Sequence, residues 1–136
     1  GTGPLKDYVK ENSNKRNNIK FYGFKSQETI FNDLKTACGM IFPSLWYEGF
    51  PMIIAESMAI GCPVISTNIG NEGDIVNASQ GGITFESDSD ESFKKAIKKC
   101  IDENDRLRLN SEKFYKEVLE KNKNYEYLNN IYEKLI

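Results

Sequence analysis

Short apolar runs alternate with stretches of helical spacing along this chain, and that alternation constrains the fold more than any other feature. Four runs read as strands: Ile19–Tyr22 ("IKFY"), Met40–Phe42 ("MIF"), Val64–Ser66 ("VIS") and Ile83–Phe85 ("ITF"). Each is short, β-branched or apolar, and bounded by Gly, Pro or polar residues. Between them, Leu5, Tyr8 and Val9 share one helical face, as do Ile30, Phe31, Leu34 and Ala37, with Ser26 placed to cap the second helix. From Asp88 onward the spacing is helical throughout: Phe93, Ile97 and Ile101; Leu107, Phe114 and Val118; Tyr125, Leu128, Ile131 and Leu135. The expectation is an α/β fold, a parallel sheet covered by helices, in one domain over residues 1–136 with a last helix over 124–136. Four short strands make a small sheet for a doubly wound domain, so the chain reads as a fragment.

Composition excludes several classes of function. A net charge of -2 implies no broad basic surface for nucleic acid. The chain has no histidine, which removes a Ser-His-Asp triad and the commonest metal ligand. Cys38, Cys62 and Cys100 are widely spaced and form no C-x-x-C, as expected of reduced thiols in a cytoplasmic protein. No apolar run reaches the length of a membrane span.

The stretch "LWYEGFPMIIAESMAIGCPVIST", residues 45–67, carries two glutamates in largely apolar surroundings. Pro51 suits the first helical turn, Gly61 suits the residue after a helix, and Pro63 forbids continuation. A helix is therefore expected from about Pro51 to Ile60, with Glu48 in the preceding loop and Glu56 in the second turn. In an open α/β sheet this loop lies at the carboxyl ends of the strands, where ligands bind. Glu56 leans back toward the same end, because helical side chains tilt toward the N-terminus. Eight residues at helical rise span roughly 12 Å, and the N–H groups of Met52 and Ile53 between the glutamates form an anion site. Two accounts stand on the residues alone. The pair could grip the hydroxyls at both ends of a nucleotide-sugar, or Glu48 could complement the helix dipole while Glu56 faces solvent.

The surrounding residues add a resemblance. "YEGFPMIIAESMAIGCPVIST" is similar to the E-x7-E signature of retaining glycosyltransferases of the GT-B fold, the large family 4 group. "GTGP", "NIKFYGF", "ACGMIFPSLWYEGFP", "VISTNIGNEGDIV" and "GGITF" resemble further blocks of that family, in its order and spacing, over about residues 1–100. The resemblance implies a Rossmann-like three-layer domain, the C-terminal, donor-binding half of a two-domain enzyme. That enzyme would move a sugar from a nucleotide-sugar to a hydroxyl of a sugar or lipid-linked acceptor, with retention and without a metal or other cofactor. It further implies that Glu48 binds the donor sugar and carries the catalytic role. Gly49 and Phe50 would shape the turn, Met52 and Ile53 would offer N–H groups to the diphosphate, and Glu56 would hold the ribose. Phe24 and Lys25 match the loop around the base, and Gly1 and Gly3 the family's glycine turn. The family's phosphate-clamping Arg and Lys and its acceptor domain precede the matching stretch, so the partners implied are the donor, an N-terminal domain and the acceptor. Bacterial surface-polysaccharide assembly (capsule or lipopolysaccharide) in the cytoplasm, with peripheral association at the inner membrane face, is the setting the family suggests. A sugar-nucleotide epimerase of the same fold and a non-catalytic α/β nucleotide-binding module are the alternatives. Asn71, Asp74 and Gly39 depart from the family's usual Gly, Glu and Asp; Gly39 reads as strand packing, the other two as candidates for tuning sugar choice.

Weaker signals have plainer explanations. Asp88-Ser89-Asp90 mimics a D-x-D metal motif, but Asp88 with Glu91 reads as a capping pair opening the next helix. The lysines of "KKAIKK" read as a solvated face, and Trp46 and Tyr47 as pocket wall or core. The apolar face of the last helix wants a partner.

Overall fold

The computed structural model describes residues 3–134; Gly1 of the glycine turn and Leu135 of the last apolar face lie outside the described residues. The chain divides after Asp33 into two units. In the first, the apolar side of α1 (Lys6–Asn14) is exposed, as Leu5, Tyr8 and Val9 all are. The second helix, α2 (Gln27–Thr36), opens as expected on Ser26, whose Oγ accepts from the Thr29 amide at 3.3 Å. The predicted strand Ile19–Tyr22 is not one. Those residues have no ladder partner, and Tyr22 is exposed with the Lys20 and Lys25 ammonium groups 4.9 and 5.1 Å from its ring. A strand is made by its neighbour's N–H and C=O groups, and an apolar run alone does not provide one.

The second unit holds the sheet: β1 (Met40–Phe42), β2 (Val64–Thr67) and β3 (Gly82–Phe85), all parallel and in sequence order. Met40 pairs with Val64 and Val64 with Gly82, and β2 is buried along its whole length. Side chains alternate across the sheet as strand geometry requires. Val64, with Met40 and Phe42, joins Ile54, Met58 and Val76 in one core. Ile65, with Ile83 and Phe85, joins Ala96, Cys100 and Leu107 in another. Two cores on opposite faces make the expected three layers. The first uses α3 (Met52–Ala59) and α4 (Gly70–Ser79); the second uses α5 (Asp90–Asp102) and α6 (Asn104–Phe114). The small residue at Gly39 is explained by packing, since a Cβ there would lie 2.9 Å from Cys100 Sγ and 3.3 Å from the Pro63 carbonyl.

Three details of register differ from the sequence expectation. The cap of α5 is Ser89, which accepts from the Ser92 amide at 3.1 Å, so Asp88 sits in the preceding turn and the acidic pair of the first turn is Asp90 and Glu91. The face of α5 that packs is Phe93, Ala96, Ile97 and Cys100, leaving Ile101 exposed. After α6, a π-helical turn at Tyr115–Leu119 adds a residue to the helical cycle, so Leu119 packs against the core and Val118 is exposed. The last helix, α7 (Lys121–Glu133), starts earlier than expected, and Tyr125, Leu128 and Ile131 are exposed on it. Among the described residues no helix is long and apolar enough to cross a membrane.

Candidate functional site

Two connections leave the carboxyl ends of neighbouring strands in the second unit: residues 43–51 from β1 into α3, and Asn68–Ile69 from β2 into α4. The first carries Glu48. Its start is tied to β2 by Thr67 Oγ1, which donates to the Ser44 carbonyl at 2.6 Å. Ser44 then organises the loop around itself. Its Oγ accepts from the Trp46 amide at 3.3 Å and donates to Glu48 Oε1 at 3.5 Å, the long limit of such a bond. Glu48 and Gly49 are exposed, as are Trp46, Tyr47 and Phe50 beside them. At the far end Asn71 Nδ2 donates to the Gly49 carbonyl at 2.6 Å.

The loop ends on Pro51, buried and extended at φ -75°, which acts as N-cap one residue before its expected place. Met52 and Ile53 are the first two helical residues. Their amides have no acceptor four residues back and point out of the helix toward the loop side. No acidic side chain occupies this first turn, so the positive end of α3 is uncompensated. Glu56 follows in the second turn, half-buried, while Ile54, Ala55, Ser57 and Met58 fill the core.

The helix ends as its punctuation predicts. Gly61 takes the left-handed conformation (φ +67°), the Cys62 amide returns to the Ser57 carbonyl at 2.9 Å and the Gly61 amide to Met58 at 3.0 Å. The Ser57 hydroxyl also donates to the Cys62 carbonyl at 2.9 Å. This double closure sets α3 firmly against β2 and thereby fixes where Met52, Ile53 and Glu56 stand.

The structure thus brings Glu48, Gly49, Phe50, Met52, Ile53 and Glu56 together on one loop and one helix end. Gly3, Phe24 and Lys25 belong to the other unit: Gly3 lies in an exposed turn, and Phe24 is exposed while Lys25 stands over Tyr22. Among the described residues no group of three acidic, Cys or His side chains could hold a metal ion. The thiols of Cys62 and Cys100 are pushed up by burial, that of Cys100 to about 11, which makes them inert packing groups.

One buried group escaped the sequence reading. Glu72, in the first turn of α4, is fully buried, and neither carboxylate oxygen has a hydrogen-bond partner. An acidic residue opening a helix is ordinary in sequence, and nothing in the spacing separates this one from a solvated helix-terminal charge. Asn71 was visible only as a departure from the glycine of the resembled pattern; its bond to the loop carrying Glu48 was not.

Comparisons with known proteins bear on this arrangement. The family profile "Glycosyl transferases group 1" matches residues 1–124. The UDP-Gal:alpha-D-GlcNAc-diphosphoundecaprenol alpha-1,3-galactosyltransferase of Escherichia coli is 31% identical over 107 residues, 76% of this chain and 27% of that protein. Two uncharacterized glycosyltransferases of Methanocaldococcus jannaschii are 32% identical over 95 residues and 30% over 86 residues. Those matches cover 70% and 61% of this chain, and 26% and 22% of the relatives. The chain therefore spans about a quarter of the length of these relatives. With nearly its whole length matched by the profile, the chain belongs to the group 1 glycosyl transferases.

Proposed function

We propose that this chain is the donor-binding, C-terminal half of a GT-B glycosyltransferase that moves a hexose from a nucleotide-sugar to a hydroxyl acceptor with retention. One observation carries the reading most directly. An exposed carboxylate, a set of free helix-terminal amides and a half-buried carboxylate follow one another along a single loop and helix at the strand carboxyl ends. A diphosphate suits the middle of that series, because N–H donors and a helix dipole favour anionic charge. Hydroxyls suit its two ends, Glu48 taking those of the sugar and Glu56 those of the ribose. As the sugar departs, charge grows on the diphosphate, and preorganised amides at Met52 and Ile53 stabilise that charge without reorganising. No residue of this site calls for a metal. Gly3, Phe24 and Lys25 are assigned to the nucleotide by the family resemblance.

The E. coli relative, named for transfer to a diphosphoundecaprenol-linked sugar, supports a lipid-linked acceptor; surface-polysaccharide assembly at the cytoplasmic face of the membrane is the setting the family suggests. The N-terminal domain of the same enzyme would bring that acceptor, so the isolated domain binds donor and transfers nothing.

The test is a pair of substitutions in the intact enzyme. Glu48→Gln lowers turnover severely while the fold survives, because the side chain is exposed on a loop. Glu56→Ala weakens donor binding by about 1–3 kcal/mol for its lost charged hydrogen bonds. Kinetics near wild type in both variants would remove the assigned roles.

A further inference from the structure

The loop that carries Glu48 meets the first turn of α4 on both sides of that residue, at Gly49 and at Tyr47, and Asn71 of that turn is a candidate for tuning sugar choice. Asn71 donates its carboxamide to the Gly49 carbonyl at 2.6 Å. Glu72 stands near the Tyr47 end of the loop. A Cβ on Gly70 would lie 3.1 Å from Tyr47 Cδ1, 3.2 Å from Glu72 Oε2 and 3.6 Å from Tyr47 Cα, and Gly70 is itself left-handed at φ +52°. A side chain there would crowd both residues, so the missing Cβ leaves room for the Glu72 carboxylate beside this end of the loop.

The hydrogen-bond inventory on the two sides is complementary. Both oxygens of Glu72 are buried without a donor, an expensive arrangement for a carboxylate. Among the described residues, the amides of Tyr47, Glu48 and Gly49 donate to no acceptor within the fold, whereas the Trp46 amide is already held by Ser44. Donors without acceptors thus lie on the loop, and acceptors without donors lie in the helical turn next to it.

We propose that Asn71 and Glu72 are positioning residues that clasp the Glu48 loop: Asn71 holds its carbonyl side at all times, and Glu72 accepts its amides when a donor sugar draws the loop inward. This rests on the donor-site reading above. The clasp acts on the sugar end of the donor, because Glu48 is the residue it orients, and leaves the nucleotide end to α3 and Glu56. Sugar-dependent affinity should therefore pass through α4, whereas affinity for the bare diphosphate should not. One lost hydrogen bond is worth about a two- to tenfold change in an equilibrium.

The experiment compares wild type with Asn71→Ala and Glu72→Gln. Backbone NMR would measure order parameters, amide exchange and the affinities of UDP-glucose, GDP-mannose and ADP-glucose against UDP, GDP and ADP. In the unliganded protein, Asn71→Ala should lower the order parameters of the Tyr47–Gly49 amides, with those of the β2 amides unchanged. On adding whichever nucleotide-sugar binds, those loop amides should gain exchange protection in wild type and gain less of it in Glu72→Gln, whose carboxamide offers one neutral acceptor in place of the charged carboxylate. Both variants should lose about three- to tenfold of the preference for the sugar conjugate over its bare diphosphate, with affinity for the diphosphate itself unchanged. Equal loss for conjugate and bare diphosphate would mark a merely structural role and overturn the proposal. Unchanged loop order parameters in Asn71→Ala overturn the Asn71 half. Ligand-induced shifts at Glu48 without protection of the loop amides overturn the Glu72 half and leave the donor site standing. Absence of any response of wild type to all six compounds overturns the donor-site reading and the Glu72 half with it, while the unliganded order parameters still decide Asn71.

Discussion

Replacing Ser57 by Ala probes the closure that places the candidate site. The hydroxyl is fully buried and donates to the Cys62 carbonyl at 2.9 Å, across the Gly61 turn that ends α3. Cys62 is itself fully buried, so no solvent replaces the lost donor, and its carbonyl is left without one. An orphaned buried acceptor costs about 1–3 kcal/mol. Alanine returns about 0.5 kcal/mol through its better helix propensity, so the net loss is about 0.5–2.5 kcal/mol. The backbone closure survives, because the Cys62 amide still reaches the Ser57 carbonyl, and the fold should persist with α3 less firmly seated. Urea unfolding checks this: the midpoint should fall with the slope unchanged, since little surface is added or removed. A variant as stable as wild type would show that the hydroxyl contributes nothing, and the account of how α3 is held on β2 would be refuted.

Other outcomes follow from the same packing. A methyl group at Gly82 would lie 2.2 Å from the Val64 carbonyl and 2.8 Å from Val76 Cγ1. Gly82→Ala should therefore force the β2–β3 pair apart and cost about 3 kcal/mol or more by chemical denaturation; a loss under 1 kcal/mol would mean that the strands yield freely. Burial holds the Cys100 thiol at about 11 against an ordinary 9.0. The folded chain therefore keeps a proton that the unfolded chain gives up between those values, so stability is full below about pH 9 and falls as pH rises toward 11. That loss, about 2–3 kcal/mol at its limit, should shrink in Cys100→Ala, measured as urea midpoints from pH 7 to 10.5, and an equal decline in both proteins would contradict it.

How much of this was legible in the residues depended on whether the signal was local. The helix α3 could be read almost to its ends because Pro51, Gly61 and Pro63 act through their own backbone chemistry, whatever surrounds them. The strands of the sheet were legible because each is a short apolar or β-branched run bounded by Gly, Pro or polar residues, whatever its burial. Residues 19–22 have the same local character, but a strand is a property of a pair, and here no partner forms a ladder. The shift from Val118 to Leu119 came from a π-helical turn, which periodicity at 3.6 residues cannot anticipate. Glu48 and Glu56 stood out by their spacing around a helix start. Glu72 did not, because its full burial comes from the tertiary packing of α4, which an acidic residue in a first helical turn does not announce.

The central claim is that this chain holds a nucleotide-sugar at the β1–α3 loop. A backbone NMR titration of the 136-residue chain with uridine, guanosine and adenosine diphosphate-sugars addresses it most directly. The account predicts weak, saturable binding with one base preferred, shifts concentrated at Glu48–Glu56 and at Phe24–Lys25, and no sugar transferred. Binding is weak because the diphosphate meets helix-terminal amides but no clamping cation on this loop. No localised shift at millimolar ligand would contradict the donor site, and transfer catalysed by this chain alone would contradict the claim that it is half of one.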